Sequence, residues 1–124
     1  QRALDYLVPY GCKRFLAINP ATPIGQIEEV LDYIDGVNLL MAIRALPDEN
    51  RAEYASQGGK AAEIPAGDAP GDIILEVDGN ITKEHGATLR SCGASIFVAG
   101  TSSIFCTDVS HFGEKIREFR KAVE

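Results

Sequence analysis

The chain has 124 residues and a mass of 13.3 kDa, which is the size of one domain. Twelve Lys and Arg against 18 Asp and Glu leave a formal net charge of −6. That balance excludes a general nucleic-acid binder, which needs a basic face to displace phosphate counterions, and a polybasic membrane-surface protein.

No apolar run approaches the ~20 residues that span a bilayer, so no membrane partner is expected. The opening Gln1-Arg2-Ala3-Leu4-Asp5 lacks the apolar core of a signal peptide. It does not start with Met, so a piece of something longer is expected. The three cysteines, Cys12, Cys92 and Cys106, are widely spaced and form no CxxC pair, which argues against a zinc ribbon or a thioredoxin-type site. They read as partly buried thiols in a reducing cytoplasm.

Ala3, Leu4, Leu7 and Val8 follow the spacing of one helical face, and Pro9 and Gly11 stop it. Arg14 to Asn19 is a short continuous apolar run, which suits a strand buried on both faces. Thr22 is a candidate helix cap and Pro23 a good first helical residue. Ile24, Ile27, Val30, Leu31 and Ile34 form the apolar stripe of that helix, which Asp35-Gly36 ends. Val37 to Ile43 reads as a second buried strand. Residues 45–54 have room for a short helix, but 44–70 are otherwise rich in Gly and Pro and read as loop.

A third strand is expected over Asp72–Asp78, with a turn at Gly79-Asn80. Thr82 caps a helix that runs to about Cys92 and closes at Gly93, with Gly86 weakening it. Ala94–Gly100 reads as a fourth strand. Phe112, Ile116, Phe119 and Val123 then give a final amphipathic helix. Alternating strands and helices imply an α/β fold with parallel pairing. The same order fits a small open sheet or a parallel (βα)4 half of a (βα)8 TIM barrel. In both, chemistry belongs at the C-terminal ends of the strands, so the residues after each strand are the candidates.

Those residues carry a resemblance. Leu16-Ala17-Ile18-Asn19-Pro20-Ala21-Thr22-Pro23 resembles the ALNPATP segment of ribulose-phosphate 3-epimerases, and Leu39-Leu40-Met41 resembles the strand that follows it. Glu76-Val77-Asp78-Gly79-Asn80-Ile81 is similar to the family's EVDGGI, and Gly93 to Phe105 to its GAD-(I/V)-(F/L)-VAGSAIF. The family is a phosphate-binding (βα)8 barrel. The resemblance therefore implies a single domain over 1–124 that forms the C-terminal half of such a barrel, with 44–70 divergent.

The implied reaction is an isomerase step of carbohydrate metabolism: inversion at C3 of a phosphorylated ketose through a cis-enediolate. It needs a base on one face, an acid on the other and a group to hold the oxyanion. By resemblance Asp78 is catalytic and also a metal ligand, the metal being a divalent ion of the Zn, Fe, Mn or Co class. Gly79, Asn80, Gly100 and Thr101 match the two phosphate grips, where small residues let backbone N–H groups approach the anion. Met41 matches a methionine that lines the reaction site. Read without the resemblance, Asp78 also suits an Asx turn and Met41 a core position.

The sequence departs from the family at three places. Met41 is followed by Ala42-Ile43-Arg44-Ala45-Leu46-Pro47-Asp48 instead of the MTVNPGFGGQ loop; Gln57-Gly58-Gly59 is similar in kind but comes later. Asn80 replaces the second glycine of its pair. The first four strands are absent, and with them the other catalytic Asp, two metal-binding histidines and a serine. His85 and His111 fall on predicted helices and do not replace them. The expected partner is thus a complementary half-barrel or a second copy of the chain. The competing reading is a non-catalytic half-barrel that binds a phosphate ligand or self-assembles. Related barrels, orotidine phosphate decarboxylases and hexulose-phosphate synthases, usually carry a DxKxxD motif on an earlier strand, and the NPATP segment favours the epimerase side.

Overall fold

The structure is a computed structural model that describes residues 2–41, 57–69, 71–106 and 110–124. Four strands form one parallel sheet in the order β1-β2-β3-β4: β1 Phe15–Ile18, β2 Gly36–Leu40, β3 Ile74–Asp78 and β4 Ala94–Phe97. Around them lie α1 Arg2–Asp5, a helical segment over 57–63 (α2), α3 Lys83–Ser91 and α4 Phe112–Val123. The expected βα alternation is present, and each strand pairs only with its neighbours in sequence.

Period-2 alternation assigns the two faces of the sheet. Val37 stands opposite Leu75 and Leu39 opposite Val77, and all four side chains are fully buried. They join Ile18, Ile27, Ile34, Ile64, Leu89, Ile104 and Phe119 in one core cluster. The alternate residues Asn38, Leu40, Glu76 and Asp78 form the other row, and all are half-buried. The sheet is thus apolar where helices cover it and mixed on its second face. At Gly36, a Cβ would lie 2.5 Å from the Phe15 ring and 2.7 Å from the Ile74 carbonyl oxygen. Only glycine lets both neighbours approach β2 so closely.

Several expectations are adjusted. The first helical pattern divides into α1 and a 3₁₀ turn at Val8–Tyr10, which Gly11 closes with φ +65°. The helix after β1 is a 3₁₀ helix, Ile24–Tyr33, with i→i+3 bonds such as Gln26 N–H to the Pro23 carbonyl, and Thr22 does not cap it. Thr22 is occupied instead by Asn19: its hydroxyl accepts from the Asn19 N–H at 3.3 Å and donates to Asn19 Oδ1 at 3.2 Å.

Residues 57–63 are helical where the Gly content predicts loop. Buried Ala61 and Ile64 face the core one turn apart, and that docking outweighs the poor helix propensity of Gly58 and Gly59. The end of the second predicted strand and the short helix predicted within 45–54 lie outside the described residues. The first, third and fourth strands are shorter than predicted, and β4 ends at Phe97.

The capping of α3 agrees with the sequence: Thr82 Oγ1 accepts from the His85 N–H at 3.1 Å, and Gly93 takes φ +99° after the helix. Gly86 has a packing reason, because a Cβ there would lie 2.8 Å from Val123 Cγ1 and 3.3 Å from Phe119 Cζ on α4. The thiols are more accessible than expected. Cys12 and Cys106 are exposed, Cys92 is intermediate, and all three are free.

Candidate active site at the strand exits

Asp78 is the last residue of β3 and lies opposite Leu40, the last residue of β2. Its carbonyl accepts the Met41 N–H at 2.7 Å, so the ladder continues one residue past β2. The Met41 side chain is fully buried and belongs to the core cluster with Leu39. Alternation puts it on the face opposite Leu40 and Asp78, so what Met41 brings to Asp78 is its backbone. The half-buried carboxylate bearer Asp78 shares its row with Glu76 and Asn38.

After Asp78 the chain turns through two consecutive left-handed residues, Gly79 (φ +92°) and Asn80 (φ +53°). Glycine adopts this conformation freely and Asn tolerates it better than most residues. The turn leads directly to Thr82, the N-cap of α3. The imidazole Nδ1 of His85 lies 3.0 Å from the Asn80 carbonyl oxygen. One histidine set aside in the sequence therefore touches this exit. The other, His111, is the N-cap of α4 rather than a helical residue, with its Nδ1 2.7 Å from Ser110 Oγ.

The β4 exit is a tight turn around one carbonyl. Gly100 O accepts the N–H groups of Ser103, Ile104 and Phe105 at 3.2, 2.8 and 3.1 Å. Buried Ile104 anchors the turn to the core. The two exits are joined twice, by Val98 N–H to the Val77 carbonyl at 3.0 Å and by the Ser102 hydroxyl to Asn80 Oδ1 at 2.7 Å. The structure thus brings Asp78, Gly79, Asn80, Gly100 and Thr101 to one end of the sheet, where β3 and β4 exit. The backbone N–H groups of Gly79, Asn80, Thr101 and Ser102 donate to no described residue. A Cβ at Gly100 would meet nothing within 4 Å. Unspent donors beside open space are what an anion requires.

The same end of the sheet carries two residues without an assigned part. Gln57 is fully buried; its Nε2 donates to the Leu40 carbonyl at 2.7 Å, and its Oε1 has no partner among the described residues. The Lys60 ammonium donates to the Pro20 and Thr22 carbonyls at 2.6 and 2.7 Å. Helix α2 therefore pins the loop after β1 and the end of β2. The sequence marked Gln57-Gly58-Gly59 as loop-like but carried no sign of where it docks. Ser102 also went unassigned, although the Gly100–Ile104 segment is one residue longer than the GSAI it resembles.

A divalent metal needs several ligands. Among the described residues no group of three or more His, Cys, Asp or Glu can hold one. Asp78 is one oxygen donor, so the described residues do not complete a metal centre. No described helix is long and apolar enough to cross a membrane.

Comparison with known proteins agrees with this geometry. The profile of the ribulose-phosphate 3 epimerase family matches residues 1–105. The chain is similar to the ribulose-phosphate 3-epimerase of Escherichia coli K12, at 36% identity over 122 residues, covering 96% of this chain and 52% of the relative. It is similar to that of Buchnera aphidicola subsp. Acyrthosiphon pisum at 33% identity over 120 residues, covering 95% and 52%. The Serratia marcescens enzyme is 32% identical over 104 residues, covering 84% and 49%. The chain spans about half the length of the curated relatives it matches. With four parallel strands in the expected order and the motif residues gathered at the strand exits, the chain belongs to the ribulose-phosphate 3-epimerase family.

Proposed function

We propose that this chain supplies the C-terminal half of a ketose-phosphate 3-epimerase site. The observation that carries the reading is the joined pair of exits: Asp78 at the end of β3, beside two turns with unspent backbone donors. The turns hold the phosphate of a pentulose or hexulose phosphate through Gly79, Asn80, Gly100 and Thr101. The bound phosphate fixes the sugar, and Asp78 removes or returns the C3 proton on one face of the planar cis-enediolate. Inversion requires a second acid on the opposite face and a group to hold the oxyanion. Both come from a complementary half-barrel, either an upstream part of a longer protein or another chain. Family membership points to a divalent metal in the full-length enzymes; Asp78 alone does not fix one here, and no step is routed through it. Three free thiols fit a reducing compartment such as the cytoplasm.

The test follows the C3 proton of D-ribulose 5-phosphate by NMR in D2O, with the 124-residue chain and a divalent metal. Loss of the signal, slowed roughly 10²–10⁴-fold by Asp78→Asn, is the expected result for a working site assembled between chains. No exchange by the chain alone, but exchange by a longer protein containing it, assigns the activity to the parent. No exchange in either removes the enzymatic reading.

The second reading, a half-barrel that assembles without catalysis, is favoured by exposed apolar residues near both sheet edges. Tyr6, Val8 and Tyr10 precede β1, and Ile96, Val98 and Phe105 lie on or after β4. A two-fold pair of chains that joins β4 of each to β1 of the other covers both sets.

A further inference from the structure

We propose that Ser102 is a positioning residue for anion capture. It orients the Asn80 carboxamide so that the amide nitrogen becomes a side-chain donor to a phosphomonoester held between the β3 and β4 exit turns. The inference rests on the phosphate reading of those turns and adds a donor that their backbone does not supply.

The hydrogen bond from Ser102 orients the amide. Ser102 Oγ and Asn80 Oδ1 are 2.7 Å apart. The hydroxyl donates to the amide oxygen in this arrangement. Oxygen and nitrogen leave the same trigonal carbon about 120° apart, so fixing the oxygen on Ser102 turns Nδ2 away from it. Among the described residues Nδ2 donates to none.

The backbone keeps the amide in place. Asn80 sits at φ +53°, its carbonyl is engaged by His85 Nδ1 at 3.0 Å, and the next residue, Ile81, is buried in the core. Ser102 is held from its own side, because the turn after β4 closes on the Gly100 carbonyl. Of the lysines lining the pocket beside Ser102, Lys83 and Lys115, Lys83 Nζ pairs with Glu118 at 3.2 Å. A neutral amide gives an anion a directed hydrogen bond in a chain whose net charge is −6. A glycine at position 80 offers no such group and leaves Ser102 without its partner.

The test titrates the 15N-labelled full chain with inorganic phosphate and follows the Asn80 side-chain amide with the backbone signals of Gly79 and Thr101. All three are expected to shift together. Ser102→Ala is expected to weaken phosphate binding about five-fold and to erase the side-chain shift. Ser102→Thr keeps the hydroxyl and restores both. Asn80→Gly is expected to weaken binding similarly and to make a further Ser102→Ala change silent, the signature of two groups acting as one. If Gly79 and Thr101 respond while Ser102→Ala leaves affinity and the Asn80 amide unchanged, the turns bind phosphate and the proposal for Ser102 is overturned. If no signal moves at any phosphate concentration, the phosphate reading fails and takes this proposal with it.

Discussion

Arg14 and Asp35 sit where the chain enters β1 and β2, at the end of the sheet opposite the candidate site. The Arg14 backbone N–H donates to Asp35 Oδ2 at 2.6 Å, and the guanidinium Nε adds a contact at 3.3 Å. The backbone donor, followed by the guanidinium, holds the Asp35 carboxyl below its usual range. A folded-state value below the unfolded one gives stability that is present above the unfolded pKa, about 3.9, and lost as pH falls through the folded value. Asp35→Asn is therefore expected to flatten the fall in thermal stability between about pH 5 and pH 2. The change should be small, since a third of the side chain is exposed and solvent screens it. At the opposite end, a resemblance gave Asp78, Gly79 and Gly100 their expected parts, and the structure places all three at the strand exits. Asn80 was legible only as a departure. Its bridge to Ser102 could not be read, because it spans 22 positions and depends on two turns meeting.

Helices α3 and α4 show how one small residue sets a packing distance. Gly86 lies against Val123 and Phe119, and the Phe119 ring meets Phe97 edge-on at 6.2 Å. Helix propensity alone predicts that replacing Gly86 improves α3 by up to ~1 kcal/mol. The contact predicts the reverse. Gly86→Val is expected to lower stability by about 1–3 kcal/mol in urea denaturation, because even its Cβ would lie 2.8 Å from Val123 Cγ1 and 3.3 Å from Phe119 Cζ, closer than ordinary contact. Helix α3 was legible through its cap and closing glycine and α4 through its apolar stripe, which are local signals, whereas the N-cap of α4 at His111 was not read. Helix α2 was not, since Gln57, Lys60 and Ala61 derive their order from docking on Leu40, Pro20, Thr22 and the core. The 3₁₀ form of Ile24–Tyr33 was equally hidden, because the same apolar stripe serves either helix.

The parallel order and the βα alternation followed from the sequence because buried strands and amphipathic helices differ in period and length. What the sheet lacks was legible as well: it has two edges and an incompletely covered second face. Ile96 and Val98 keep 41% and 40% of their surface, far from the full burial of Leu75 and Val77. Free apolar edges associate. In sedimentation at tens of micromolar protein, the chain is expected to run heavier than 13.3 kDa, and Val98→Lys is expected to shift it toward the monomer. A monomer at all concentrations would remove the self-assembly reading and leave the upstream half of a longer protein as the cover.

The sequential strand order has a consequence for how the molecule forms. Every strand pair joins chain neighbours, so no contact of the sheet waits for distant ends to meet, and the entropy of closing large loops is spread over several small closures. Folding can then advance one βα unit at a time, as in linear repeat proteins. The β2–β3 pair has the longest ladder. Amide exchange is expected to be slowest at Val37, Leu39, Leu75 and Val77 and to quicken toward β1 and β4. A chain built this way adds to a neighbouring segment at either edge without first undoing itself.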